Sequence, residues 1–169
     1  SFDLSSLAKF QGVRRRQDLL FETEKVILME DFAHHPTAVD AALQSIRSAY
    51  PKRKLIACFE PRSNTAVRSI FQREFTKALG HADSIYLGEV HRKARIENEE
   101  CLDTQLMVKD LAALGGRKAL AFDSNQELCE RLAKDLTKEE SYLVVFFSNG
   151  SFDGIPRKLA TILGGRSET

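Results

Sequence analysis

Val26-Ile27-Leu28-Met29, followed closely by Asp31-Phe32-Ala33-His34-His35-Pro36-Thr37, is the stretch whose reading decides the fold. A short apolar run without polar alternation is the pattern of a strand covered on both faces, as in a parallel sheet. A helical pattern begins near Thr37, with Val39, Leu43, Ile46 and Tyr50 at helix spacing, and Pro36 suits a first helical turn. A carboxylate and two imidazoles therefore stand where a buried strand ends and a helix begins. In open α/β sheets that edge is where ligands bind. A helix start also offers unpaired N–H groups and a positive dipole to an anion such as phosphate.

Working outward, the same alternation repeats along the chain. Apolar runs at 25–30, 54–59, 84–88, 118–122 and 142–147 read as buried strands. Between them lie helical patterns: Val67, Phe71, Phe75 and Leu79; then Leu102, Leu106, Leu111 and Leu114; then Leu128, Leu132 and Leu136; with a last helix over 155–163. Residues 18–22 read as an edge strand antiparallel to the first, turning near Thr23. Gly80 and Gly115-Gly116 suit helix ends, and Asp123-Ser124-Asn125 supplies helix caps. Strands alternating with helices require right-handed crossovers. The expected fold is therefore α/β: a mostly parallel, doubly wound, Rossmann-like sheet of about six strands, with helices on both faces and an antiparallel edge strand.

Composition narrows the function. The chain has 169 residues, 43% of them hydrophobic and 29% charged, which fits one globular domain. A formal net charge of +1 argues against a nucleic-acid binder that works by neutralising phosphates across a broad face. No apolar run approaches the roughly 20 residues that span a bilayer, so no membrane partner is expected. Cys58, Cys101 and Cys129 are widely spaced and form no Cys-x-x-Cys pair. Zinc and a disulfide framework both fit poorly, and a reducing cytoplasm is the simplest reading.

A sheet of this kind delivers the loop after each strand to one edge. Those loops are 31–36, then Glu60-Pro61-Arg62-Ser63-Asn64-Thr65, then Glu89-Val90-His91-Arg92-Lys93, then Asp123-Ser124-Asn125, then Ser148-Asn149-Gly150-Ser151-Phe152-Asp153-Gly154. Polarity alone proves little, because helices take Asp, Ser and Asn at their starts, and 123–125 is read that way. Asp31 is either a cap or an acceptor for ribose hydroxyls. Adjacent His34 and His35 point apart, so one of them at most faces a ligand. Arg14-Arg15-Arg16 is either a solvated turn or a set of planar forks for a nucleotide. The loop at 148–154 resembles one that brings N–H groups to an anion, yet it lacks the Lys-Ser or Lys-Thr of a P-loop. The chain holds no complete phosphate cradle.

These residues carry a family resemblance. Asp31-Phe32-Ala33-His34-His35-Pro36-Thr37-Ala38-Val39 resembles the strand-end motif opening the C-terminal domain of the Mur ligases. Phe10-Gln11-Gly12-Val13-Arg14-Arg15-Arg16 resembles the preceding segment in the branch whose acceptor is UDP-N-acetylmuramate. Phe59-Glu60-Pro61-Arg62-Ser63-Asn64-Thr65 and 147–154 are most similar to the member whose amine is the murein tripeptide L-alanyl-γ-D-glutamyl-meso-diaminopimelate. The resemblance covers nearly the whole chain.

The resemblance implies a three-domain, ATP-dependent amide-bond ligase. Residues 1–10 would end the connection from a missing central domain, 11–165 would be the C-terminal domain, and 166–169 a frayed tail. A start at Ser1 agrees with a piece of a longer chain. The partners would be the N-terminal and central domains of the same chain. ATP and Mg²⁺ would be the cofactors, their phosphates and metal held mainly by the central domain. ATP would phosphorylate the lactyl carboxylate of UDP-N-acetylmuramate, and the amine would attack that acyl phosphate. The resemblance assigns Arg16, Asp31 and His34 to the nucleotide. It assigns Arg62, Glu89, Arg92, Ser148 and Asn149 to the peptide substrate, and it gives this domain no catalytic residue and no metal ligand. The Asp-Asn-Pro-Arg motif that reads diaminopimelate in a sister ligase is absent; Glu89-Val90-His91-Arg92 stands there instead. Two alternatives stay open: the same domain of an L-alanine-adding or other Mur-type synthetase, and a non-catalytic nucleotide- or peptide-binding module.

Overall fold

The structure, a computed structural model, describes residues 16–62, 68–90, 101–136 and 139–167. Strands β1 (Asp18–Glu22), β2 (Val26–Asp31), β3 (Lys54–Phe59), β4 (Ser84–Leu87), β5 (Lys118–Ala121) and β6 (Tyr142–Phe147) form one six-stranded sheet, in the order β1-β2-β6-β3-β4-β5. All neighbours run parallel except β1, which pairs antiparallel with β2. Helices α1 (Pro36–Ala49), α2 (Gln72–Leu79), α3 (Thr104–Ala113), α4 (Asn125–Asp135) and α5 (Ile155–Ser167) complete the chain.

The strands alternate between two cores. Ile27, Met29, Leu55, Ala57, Phe59, Leu143, Val145 and Phe147 pack against residues of α1, α2 and α3. Val26, Leu28, Ile56, Cys58, Tyr142, Val144 and Phe146 pack against α4 and α5. Because both faces are covered, β6 is buried at every position, which is why its sequence is an unbroken apolar run. Doubly wound packing and the antiparallel edge strand are thus both present. The three cysteines are free and buried. Among the described residues no helix is long and apolar enough to cross a membrane.

Local signals mostly act as expected. Pro36 opens α1 and His35 caps it, its Nδ1 accepting the Thr37 N–H at 3.4 Å. Ser124 caps α4. Gly115 and Gly116 follow α3 with φ of 108° and 69°, the left-handed region that glycine enters freely.

Two helices differ from their patterns. In α3 the buried residues are Met107 and Leu111, whereas Leu106 and Leu114 are exposed. Leu102 and Leu111 are buried as the spacing expects, and Met107 takes the inward place expected of Leu106. The last helix continues past Leu163 to Ser167, through Gly164 and Gly165.

Candidate functional site

Strand order places the site. The chain leaves β2 and β3 toward α1 and α2 on one face of the sheet, and leaves β6 toward α5 on the other. The carboxyl end of β6 therefore lies between two strands whose loops turn the opposite way, and ligand crevices open at such switch points. Backbone bonds stitch the three ends together. The Glu60 N–H donates to the Phe147 carbonyl at 3.0 Å and the Ser148 N–H to the Asp31 carbonyl at 3.2 Å.

Asp31 closes β2 and is 6% exposed. Its Oδ1 accepts the Ala33 N–H at 2.8 Å and its Oδ2 the Gln17 N–H at 3.2 Å. Burial pushes its pKa above the ordinary carboxylate value, against the pull of those two N–H groups and of Arg16. Each oxygen keeps a lone pair for a further donor. His34 donates from Nδ1 to the Phe32 carbonyl at 2.9 Å, since a carbonyl can only accept, and its ring meets Phe32 edge-on at 5.2 Å. Arg16, Asp31, Phe32 and His34 all border one cavity of about 390 Å³. The three residues assigned to a nucleotide on resemblance are thus brought together.

His35 borders the same cavity, but its ring caps α1 and leans on Phe71 at 5.5 Å. The helix start itself departs from expectation. Pro36 has no N–H, the Thr37 N–H goes to the His35 side chain, and those of Ala38 and Val39 go to the His35 carbonyl. Few donors remain at α1 for a phosphate. What faces the cavity is a carboxylate, a guanidinium, an imidazole and an aromatic ring. That set suits the hydroxyls and flat surface of a nucleoside better than its phosphates.

A second cluster gathers at the ends of β3 and β6 and the start of α4. Its centre is Glu60, whose side chain is fully buried. Ser148 Oγ donates to Glu60 Oε2, Asn125 Nδ2 to Oε1 at 3.1 Å, and Arg62 Nη1 to Oε1 at 3.4 Å. Asn125 Nδ2 also donates to Asp153 at 2.8 Å, and Asn125 Oδ1 accepts the Glu89 N–H at 3.1 Å. Arg62 Nη1 lies 3.7 Å from Asp153 Oδ1. Asn149 Oδ1 is buried and has no hydrogen-bond partner among the described residues. Phe152 and Asp153 hold φ of 50°, a left-handed conformation that non-glycine residues rarely adopt, and Asp153 thereby meets Asn125.

Of the residues assigned to the peptide, Arg62, Ser148 and Asn149 lie in or beside this cluster, and Glu89 touches it through its backbone. Arg92 lies outside the described residues. Glu60, Asn125 and Asp153 were not singled out from sequence. The stretch 123–125 supplies the cap as expected, through Ser124, while Asn125 turns inward. A buried Glu could have been suspected at a strand end, but only the fold shows three donors meeting there. Among the described residues no group of three or more His, Cys, Asp or Glu is arranged to hold a metal.

The chain is a doubly wound α/β domain with two polar clusters on the carboxyl edge of its sheet. The chain belongs to the Mur ligase family: the family model described as Mur ligase, glutamate ligase domain, matches residues 15–150. A UDP-N-acetylmuramate–L-alanine ligase of Lactococcus lactis is 42% identical over 93 residues, covering 53% of this chain and 20% of that protein. The chain thus spans about a fifth of the length of that relative. A murein peptide ligase from Psychrobacter arcticus superposes with a TM-score of 0.73 at 26% identity, covering 95% of this chain and 32% of the other. A UDP-N-acetylmuramate–alanine ligase from Thermotoga maritima has the same fold, with a TM-score of 0.71 at 22% identity, over 98% and 34%.

Proposed function

We propose that this chain is the C-terminal domain of an ATP-dependent ligase that joins L-Ala-γ-D-Glu-meso-diaminopimelate to UDP-N-acetylmuramate in the cytoplasm. The domain closes over the nucleotide and presents the amine. The observation that carries this reading is the convergence of Arg16, Asp31 and His34 on one cavity, beside a second cluster on the same sheet edge.

The cavity fits the nucleoside half of ATP. Asp31 accepts from the ribose hydroxyls, Arg16 supplies positive charge, and Phe32 and His34 offer ring surfaces to the base. Bound ATP supplies the phosphoryl group that activates a carboxylate. The phosphates belong to another domain in this reading, because the N–H groups at the start of α1 are already engaged. No metal ligand is assigned to the described residues. Closure of the domain excludes water from the acyl phosphate and brings the amine to it. Arg62, Glu89, Arg92, Ser148 and Asn149 are the proposed contacts for that amine.

A second reading is the L-alanine-adding ligase, favoured by the 42% identity over 93 residues. Phosphate release with ATP and UDP-N-acetylmuramate, using the ligase that contains this domain, separates the two. Turnover with tripeptide over free L-alanine supports the first reading, and the reverse preference replaces it with the second. Turnover with neither, together with tight ligand binding by this chain alone, points to a non-catalytic binding module.

A further inference from the structure

Glu60 poses a physical question that the proposed function leaves open. A fully buried carboxylate is costly unless it is paired and hydrogen-bonded. Here it is met by donors from three separate elements: Arg62 on its own loop, Asn125 at the start of α4 and Ser148 after β6. Three loops are thus held by one side chain. The least buried of these donors is Arg62, whose side chain is 38% exposed.

The geometry around Arg62 is directional. Among the described residues only Nη1 is engaged, by Glu60 at 3.4 Å and by Asp153 at 3.7 Å. Nε and Nη2 have no partner among the described residues, and these two form the side-on fork of a guanidinium. That fork matches a carboxylate with two parallel hydrogen bonds. The stem of Arg62 lies against Gly150. A Cβ there would come within 2.5 Å of Arg62 Cδ and 2.8 Å of Nε, so a side chain at 150 would displace it.

We infer that Glu60 is a positioning residue for the amine substrate: with Gly150 it holds the Arg62 fork toward a carboxylate carried by the incoming amine. The inference rests on reading the second cluster as the amine site. It does not depend on which amine is used, because the tripeptide and free L-alanine both carry a carboxylate. Glu60 touches no substrate and acts through the side chains it holds, Arg62 first among them.

The test is steady-state kinetics on the ligase that contains this domain, as wild type, Glu60→Gln and Gly150→Ala, with whichever amine the wild type accepts. Both variants are expected to raise KM for the amine by about tenfold, with KM for ATP within about twofold. Amidating each amine-substrate carboxylate in turn supplies the second readout. At one position the wild type loses about tenfold or more in kcat/KM, and Glu60→Gln less than about threefold. Parallel rises in both KM values, or undiminished acid-over-amide discrimination, would reduce Glu60 to a structural tie and overturn the inference. If Glu60→Gln does not fold, Gly150→Ala decides by the same criteria. A wild type that turns over neither amine overturns the ligase reading, and the inference with it.

Discussion

The Ser148 N–H donates to the Asp31 carbonyl at 3.2 Å, so the two polar clusters are joined by a single backbone bond. On one side of that bond the Asp31 side chain borders the cavity. On the other, the Ser148 hydroxyl reaches Glu60. The two clusters therefore share a wall at the end of β6, and each can be perturbed separately through its side chains.

Asp31→Ala in the intact ligase is expected to raise KM for ATP by about tenfold or more, the effect of losing a charge-assisted hydrogen bond to a ligand hydroxyl. KM for the amine should stay near the wild-type value. Initial-rate kinetics with ATP as the varied substrate measure this, and an unchanged KM for ATP would remove Asp31 from the nucleotide site.

The same carboxylate should mark the pH dependence of stability. Burial holds its folded pKa above the ordinary value of 3.8. A raised folded pKa means that folding favours the protonated acid. Its stabilising contribution is complete below 3.8 and is lost as pH rises through the folded value. The melting temperature of the wild type, relative to Asp31→Ala, should therefore fall across the window just above pH 3.8. Thermal scans through that window check the sign.

At the opposite edge of the sheet, Asp135 Oδ2 accepts from Tyr86 at 2.6 Å, Lys118 at 2.7 Å and Arg131 at 2.9 Å. Burial works to raise the Asp135 pKa, but those bonds outweigh it and hold the group below 3.8. Its contribution is thus present above pH 3.8 and lost as pH falls through the folded value. Asp135→Ala is expected to cost about 1–3 kcal/mol at neutral pH, because it leaves the buried Tyr86 hydroxyl without its acceptor. Urea titration reads the loss, which should shrink in acid, and the ligase kinetics should not change.

The core offers a calibrated contrast. Phe75 is fully buried and packs on Phe59 with ring centroids 4.7 Å apart. Phe75→Ala should cost about 3–5 kcal/mol. Leu114→Ala, at a position 52% exposed, should stay within about 0.5 kcal/mol. A large loss at Leu114 would mean that its face packs against something.

The strands were legible in the sequence because burial on both faces writes an unbroken apolar run, and β6 is the purest case. Strand ends moved by a residue where tertiary pairing decided them: Asp31 joins β2 because it is in register with Phe147. The leucine spacing found Leu102 and Leu111, which are buried, but it also took in Leu106 and Leu114, because it fits more than one helical phase and packing puts Met107 inward in their place. The Asp31 cavity was legible in its residues, because the strand-end motif keeps Asp31 and His34 three positions apart. The Glu60 cluster was not, because its members come from the loops after β3 and β6 and from the start of α4. No local pattern records that they meet.

Strand order also governs the history of the chain during synthesis. The central strand, β6, is the last of the six to leave the ribosome, and β2 and β3 pair with it and not with each other. In the finished sheet the hairpin β1–β2 and the β3–β4–β5 unit are joined through residues 142–147. This final strand also brings Ser148 to Glu60. The Glu60 cluster is therefore completed last, and a chain arrested before Tyr142 lacks its Ser148 and Asp153 members, whereas the residues that border the Asp31 cavity all lie within 16–42.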